Sequence, residues 1–283
     1  MVPSALFGLH AGAVQLLHLP TDASQGHVWS EVFRRSTVGP DCRPLGLKWQ
    51  AAVVFAEPRG DYSWLFDLVA ADPVIRHRAL ARHQAILAAA SDALHHSNAL
   101  WAAHYRSRSS QTRLGAALDQ ARADFRWHQE QTIYGPLHAL RDAADGDDPA
   151  RALWAPFAVL YLRWEAEHPE EWGAPESRMW SHWGTKEGVL RRLDRDGVPE
   201  DLRPQIAELT LAALRRPYRC KDWAYACLVR HLDDPLFFHA VEMLTSVDDP
   251  LVRLRAQFVL HVAAHPEERI TRTSWRRWLN AAG

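Results

Sequence analysis

Lysine is scarce in this chain of 283 residues: Lys48, Lys186 and Lys221 are the only three among 33 basic residues. The other 30 are arginines, a bias that a GC-rich coding sequence produces and that favours a bacterial source. The formal net charge is −1, so no overall field attracts the chain to nucleic acid or to an acidic membrane surface.

Cysteine and long apolar runs are also scarce. Three cysteines, Cys42, Cys220 and Cys227, form no disulfide framework, which favours a reducing, cytoplasmic location. We expect Cys220 and Cys227, two helical turns apart, to be buried as small apolar side chains. The sequence contains no run of 18 apolar residues, so no transmembrane helix is expected. The segment 1–20 has no basic start, so we interpret it as a helix rather than a signal peptide.

Motifs that identify common enzyme classes are missing as well. The chain has no Gly-x-Ser-x-Gly nucleophile motif, no dinucleotide-binding glycine loop and no tandem Cys-x-x-Cys. The segment Gly184 to Gly188 flanks Lys186 with glycines but lacks the spacing of a phosphate-binding loop. No cofactor and no metal centre is therefore expected.

The chain is rich in helix-start signals. The dipeptide Asp-Pro occurs at positions 72, 148, 234 and 249. Aspartate caps a helix by accepting a free backbone N–H, and proline suits the first helical position because its missing N–H would have no partner there. Helices are further expected over 79–97, 113–132, 151–167, 203–215 and 221–231, with irregular chain over 143–148 and 172–188. The single candidate strand is Leu47 to Phe55.

Two of these helix starts share a longer pattern. Asp72 and Asp249 each begin the order Asp-Pro, two aliphatic residues, Arg, any residue, Arg, Ala. A short apolar helix precedes each one, so each predicts an antiparallel helical hairpin, over 61–97 and 235–265. Recurrence of this kind is typical of chains built from helical repeats.

The pattern resembles the HEAT and HEAT-like repeats, in which Asp-Pro-x-Val-Arg-x-x-Ala opens the second helix of a hairpin. The resemblance implies that Asp72, Arg76, Asp249 and Arg253 are structural residues that bond between stacked repeats. The implied fold is all-α, a HEAT-like α-solenoid that is irregular in the middle. We expect one domain over 1–283, with a soft boundary near 106–113, where the sequence is basic and serine-rich.

Candidate binding residues lie in the tryptophan-rich middle of the chain. The segment 172–183 is irregular and aromatic, and loops carry function more often than scaffolds do. Tryptophan and arginine also dominate the hot spots of protein interfaces. The candidate contact residues are Trp172, Trp180, His182, Trp183, Lys186, Arg219 and Trp223. Most of the 13 tryptophans are expected to fill gaps between helices instead.

Histidine spacing offers one further site. His261 and His265 are one helical turn apart, which suits zinc, but the local sequence supplies no third ligand.

Three functions remain open. Stacked hairpins favour a non-enzymatic scaffold or regulator that binds a protein or peptide partner on a concave surface. HEAT-like repeats also occur in alkylpurine DNA glycosylases, and Trp223 beside Asp222, downstream of Arg215, Arg216 and Arg219, has the composition of a lesion site. The near-zero net charge does not favour nucleic acid as the partner. The third possibility is a metal-dependent hydrolase with histidine ligands.

Overall fold

Helices form wherever the sequence combines a cap with an apolar stripe. A computed structural model of the chain describes residues 61–106, 111–174 and 181–281, and the described residues contain helices, turns and loops but no strand. They belong to one compact unit, Phe55–Gly283. The candidate strand Leu47–Phe55, Cys42 and Trp180 lie outside the described residues. No helix in the described ranges has the length and apolar composition needed to cross a membrane.

Ten α-helices follow one another in the described ranges. They are α1 Pro73–Arg106, α2 Gln111–Glu130, α3 Tyr134–Asp142, α4 Asp148–Glu167, α5 Pro169–Trp172, α6 His182–Asp196, α7 Arg203–Arg215, α8 Pro235–Leu244, α9 Pro250–Ala264 and α10 Arg272–Ala281. There are also three 3-10 helices in the described ranges: Ser63–Val69 before α1, Glu200–Leu202 before α7 and Asp222–His231 before α8. All-α architecture is thus confirmed for this part of the chain.

Aspartate caps begin several helices as expected. The carboxylate of Asp72 accepts the N–H of Val74 at 2.8 Å, and that of Asp249 accepts the N–H of Leu251 at 2.8 Å. Asp147, one residue before the expected cap, performs the same role for α4. Each carboxylate satisfies an otherwise unpaired donor of the first helical turn.

The arginines of the two recurring patterns also make matching bonds. Arg76 Nη1 donates to the carbonyl of Ala70 at 3.1 Å, and Arg253 Nη1 donates to the carbonyl of Val247 at 3.1 Å. Both bonds tie the helix to the loop that precedes it, within one hairpin. Only Arg76 also approaches another element, with Nε 3.6 Å from a carboxylate oxygen of Glu171.

The second arginine of the C-terminal pattern links neighbouring elements. Arg255 is buried, and its Nη1 donates to the carbonyls of Ala213 at 3.1 Å and Arg216 at 3.0 Å. These bonds join α9 to the end of α7. The corresponding side chain of the first pattern, Arg78, is exposed, so the two hairpins share their helix starts but not this link.

One stretch differs from expectation. The segment 172–188 was expected to be irregular, but its second half forms α6, which begins at His182. Ser181 caps this helix by accepting the N–H of Gly184 at 3.2 Å. The two glycines weaken the local helix signal, but Lys186, Val189 and Leu190 on this helix are buried.

The core is built around α4 and the 3-10 helix 222–231. Nearly all residues of α4 from Ala155 to Glu165 are buried, and all residues from Asp222 to Val229 are buried. Both elements pack against α7, and the 3-10 helix also packs against α6 and α9. A 3-10 helix of ten residues is long, because this geometry rarely continues beyond three or four residues. It places a charged residue, Asp222, among buried side chains.

Candidate functional site

Five charged side chains meet inside the fold, and we call them the charge cluster. Helix α4 supplies Glu165, α6 supplies Lys186, and the chain between α7 and the long 3-10 helix supplies Arg216 and Arg219, while Asp222 opens that helix. Glu165 and Lys186 have no exposed surface, and Asp222 is 6% exposed. Burial of this many charges is costly unless each one is paired and hydrogen-bonded.

Lys186 lies between the two carboxylates. Its Nζ is 2.5 Å from Oδ1 of Asp222 and 3.2 Å from Oε2 of Glu165. The same two oxygens accept bonds from Nη2 of Arg216, each at 2.8 Å. The two acids and two of the bases therefore form a closed square of ion pairs.

Arg219 occupies the remaining oxygens. Its Nη1 is 3.1 Å from Oε1 of Glu165 and 2.6 Å from the Glu165 carbonyl, and its backbone N–H donates to Oδ2 of Asp222 at 2.8 Å. All four carboxylate oxygens thus accept a bond. Three positive and two negative groups leave the cluster with a formal charge of +1.

The backbone at Lys221 sets the position of Asp222. Lys221 has φ +68°, and it is the only residue other than glycine with a positive φ among the described residues. This left-handed conformation is uncommon for a side-chain-bearing residue. The Lys221 ammonium pairs with Glu187 of α6 at 2.5 Å, which holds the turn against that helix. This turn directs Asp222 toward the interior. Asp222 lies at the N-terminal end of the long 3-10 helix, where a negative charge is favourable.

Aromatic rings enclose the cluster on two sides. Lys186 Nζ lies 5.5 Å from the ring centre of Trp183 and 5.3 Å from that of Tyr225, within the range of cation–π attraction. Trp172 contacts Trp183 with ring centres 4.9 Å apart and His182 with ring centres 5.0 Å apart. The rings remove water from the side of the cluster that Lys186 faces.

Three buried tyrosines adjoin this site and remain protonated at neutral pH. Burial raises the pKa of Tyr225, and the negative charge of Glu165 raises it further. Burial is also the main cause of the raised pKa of Tyr134 and Tyr161. The Tyr161 hydroxyl donates to the carbonyl of His182 at 3.1 Å and so links α4 to the start of α6. The Tyr225 hydroxyl has no hydrogen-bond partner in the described ranges.

The candidate contact residues from the sequence converge on this region. Trp172, Lys186 and Trp223 are buried, and His182 and Arg219 are half-buried. Among the members of the set that the structure describes, only Trp183, at 37%, presents much surface. Trp223 stacks beneath the guanidinium of Arg191, 5.3 Å from its ring centre, rather than facing solvent. The six described members of the set are therefore brought together around the charge cluster, and most of them lie inside the protein.

Glu165, Arg216, Tyr161 and Tyr225 belong to the same region but were not among the sequence candidates. One signal for Glu165 is present in the sequence: it is an acid that follows the apolar run from Ala155 to Leu162 and Trp164. A carboxylate on the buried side of such a helix requires a cationic partner. Nothing in the local sequence indicates which cation it would be.

Little room exists beside the cluster for a substrate. The cavity that reaches Asp222 and Tyr225 measures about 20 Å³ and is otherwise lined mainly by apolar side chains, including Phe258 and Trp275. That volume accommodates about one water molecule. Ligand sites for small molecules are on the order of 300–1,000 Å³. The charge cluster is thus suited to joining α4, α6, α7 and the 3-10 helix, and neither carboxylate is free to act as a base.

An exposed apolar surface lies on the C-terminal hairpin. Leu236 and Met243 of α8 are 79% and 59% exposed, and Leu251 in the first turn of α9 is 56% exposed. Leu236 and Met243 are seven residues apart, so they lie on the same side of α8. We call Leu236, Met243 and Leu251 the α8–α9 face.

Acidic residues flank the α8–α9 face along the sequence. The segment 232–252 contains five carboxylates and neither lysine nor arginine. All five are exposed: Asp233, Asp234, Glu242, Asp248 and Asp249. Asp234 and Asp249 cap α8 and α9, which leaves their negative charge in place at the two helix starts. The face therefore combines apolar area with a mainly negative margin, in which Arg203 lies 3.9 Å from Asp233 and His239 lies 3.9 Å from Glu242.

Comparisons with known proteins found no matching family model, no matching curated protein and no matching solved structure.

Proposed function

We propose that this chain is a non-enzymatic protein-binding scaffold whose helical hairpins stack in a HEAT-like manner. Support comes from the matching helix starts at Asp72 and Asp249, and from Arg255, which joins the C-terminal hairpin to α7. The charge cluster stiffens the frame between the two hairpins. A rigid frame with exposed apolar side chains suits a binding protein better than a catalyst, because both buried carboxylates are fully paired.

The α8–α9 face is the observation that carries this proposal. Fully covering an exposed leucine or methionine contributes on the order of 1.5–3 kcal/mol, so Leu236 and Met243 are effective anchors for a partner. The surrounding carboxylates select the charge of that partner. We propose that it is a basic amphipathic helix, with its apolar side on Leu236 and Met243 and its cations beside Asp233 and Glu242.

Synthetic peptides test this assignment. An amphipathic peptide with a leucine stripe and lysines on its other side is expected to bind the full chain, as measured by fluorescence anisotropy. The same peptide with glutamates in place of the lysines is expected to bind at least about ten-fold more weakly, equivalent to about 1.4 kcal/mol. The difference is expected to shrink as salt is added, because exposed charges are screened.

Substitutions on the α8–α9 face test whether the peptide binds there. Replacing Leu236 and Met243 together with serine is expected to weaken binding of the lysine peptide by at least about ten-fold. Val74→Ser is the matched control, because Val74 is 67% exposed and occupies, in α1, the position that Leu251 occupies in α9. Equal binding by the doubly substituted chain and the wild type would place the peptide elsewhere and overturn the assignment.

The glycosylase alternative receives no support from the described residues. Trp223 is buried beneath Arg191, and Asp222 is paired with Lys186 and Arg216, so neither is available to an extruded base. Binding to alkylated duplex DNA that weakens steeply with salt, together with release of the alkylated base, would favour that function over the scaffold.

A further inference from the structure

A histidine pair and a glutamate converge at the end of α9. His261 and His265 lie one turn apart, and Glu268 follows in the turn after the helix. One donor atom from each of the three residues lies within 4.8 Å of the other two. Two imidazoles and a carboxylate are a donor set that binds Zn²⁺ and leaves a fourth position open. Glu268 is the third ligand that the spacing of the histidines alone does not supply.

The separation of two donor atoms already matches zinc. His261 Nε2 is 3.3 Å from Oε2 of Glu268. Bonds of roughly 2.0–2.1 Å in a tetrahedral arrangement place ligand atoms about 3.3–3.4 Å apart. A metal ion would therefore bind between these two atoms with little movement of either side chain.

Neighbouring groups orient both rings. His265 Nδ1 is 2.8 Å from the carbonyl of His261, which accepts only, so Nδ1 carries the proton and Nε2 keeps its lone pair for a metal. The His261 ring stacks on Trp278, with ring centres 4.9 Å apart. Trp278 is itself held by a bond from its Nε1 to the carbonyl of Leu254 at 3.2 Å. The hydrogen bond from His265 Nδ1 to a backbone carbonyl is typical of histidines that bind a metal through the other ring nitrogen.

We propose that His261, His265 and Glu268 form a binding site for a divalent transition metal, with Zn²⁺ as the best match to its ligands. The ion would join the end of α9 to the turn that leads to α10. Glu268 is exposed, so the fourth position faces solvent and can take a water molecule or a side chain from a partner. This site is separate from the α8–α9 face, and neither proposal depends on the other.

Calorimetric titration of the full chain with ZnCl₂ tests the site. The chain contains 16 histidines, so the measure is the difference between variants rather than total binding. The wild type is expected to bind one equivalent of zinc at this site. His261→Ala, His265→Ala and Glu268→Gln are each expected to bind that equivalent at least about ten-fold more weakly. Bound zinc is also expected to raise the melting temperature of the wild type but not of the variants, because it binds the folded state.

His239→Ala is the matched control. His239 lies 3.9 Å from Glu242 on the neighbouring helix α8, so it forms a histidine–glutamate pair without a second histidine. This variant is expected to retain the full stoichiometry. If the three site variants bind as much zinc as the wild type, or if His239→Ala loses the same equivalent, the proposed site is wrong. Circular dichroism of the zinc-free variants separates loss of the site from loss of the fold.

Discussion

Replacing Glu165 with glutamine is expected to lower the free energy of unfolding by about 3–5 kcal/mol, the usual cost of removing one partner from a buried ion pair. Glu165 has no exposed surface and accepts bonds from Lys186, Arg216 and Arg219. Glutamine keeps the size of the side chain but removes its charge. The cluster then holds three cations against Asp222 alone, and its formal charge rises from +1 to +2.

Glu167→Gln is the control for this change. Glu167 is on the same helix, but its side chain is 40% exposed and pairs with Arg163 on the surface. Exposed pairs of this kind contribute about 0–1 kcal/mol, so the control is expected to change stability little. Urea unfolding followed by circular dichroism measures both variants. Equal, small losses would show that the charge cluster does not hold the fold together.

A second substitution distinguishes the effect of unbalanced charge on stability from the effect of lost packing. Lys186→Met removes a cation from the cluster, so the double variant with Glu165→Gln returns the formal charge to +1. The two changes are therefore expected to cost less together than the sum of their separate costs, by more than about 1 kcal/mol, because the residues interact directly. Strict additivity would indicate that lost packing, rather than unbalanced charge, causes the loss of stability.

The charge cluster also shows where sequence reasoning succeeds and where it fails. Asp72 and Asp249 act through backbone groups two or three residues away, so their role as helix caps is readable from the local sequence. Glu165 lies 21 residues before Lys186 and 57 before Asp222, and nothing local relates the three. Only the packing of α4, α6 and the 3-10 helix brings them together. Lys186 is noticeable for its glycine-flanked position and Asp222 for its place beside Trp223, but nothing in the sequence pairs the two or adds Glu165 to them.

The expected helix type was wrong for the segment 221–231. The segment from Lys221 was expected to be an α-helix, in which Cys220 and Cys227 would lie on one face. It is a 3-10 helix that begins at Asp222, with Cys220 outside it. No continuous helix therefore places Cys220 on the same face as Cys227. Cys227 is therefore buried, with burial raising the pKa of its thiol to about 12, whereas Cys220 is exposed, contrary to expectation.

The structure changes what the tryptophan-rich middle of the chain is expected to do. Its large rings predict contact with a partner. In the described residues, however, Trp172 and Trp223 are buried and pack against other side chains of the same chain. Two strongly exposed apolar side chains, Leu236 and Met243, lie instead on α8, on the side of that helix that faces away from the core. An apolar residue on the polar side of a helix is a signal that the sequence does contain. It can be recognised only after the buried side, here Phe237, Val241 and Leu244, has been identified.

Acidification is expected to remove about 3 kcal/mol of stability through a single residue, His83. This side chain is 1% exposed, and its ring packs against Trp164 with centres 5.2 Å apart. Its Nε2 has no hydrogen-bond partner among the described residues. Burial, with a smaller contribution from the charge of His182, lowers the pKa of His83 to about 4. In the unfolded chain the pKa of a histidine is about 6.5.

The direction of the effect follows from proton uptake. Below about pH 6.5 the unfolded chain binds a proton at this position, whereas the folded chain does so only near pH 4. Protons therefore favour the unfolded state across this interval, and the contribution of neutral His83 to stability is complete at pH 7 and lost as the pH falls. The pKa of His83 differs by about 2.5 between the folded and the unfolded chain, and each pKa unit corresponds to about 1.36 kcal/mol, so the loss of stability is about 3 kcal/mol.

The variant His83→Leu isolates this contribution. Leucine replaces a buried ring whose Nε2 has no partner, so stability at pH 7 is expected to change by less than the acid effect. Between pH 6.5 and pH 4 the variant is expected to lose about 3 kcal/mol less than the wild type in urea unfolding. His95→Leu, an exposed histidine on the same helix, is expected to follow the wild-type profile. Parallel profiles for the wild type and His83→Leu would mean that His83 is protonated in the folded protein, and that the acid sensitivity arises elsewhere.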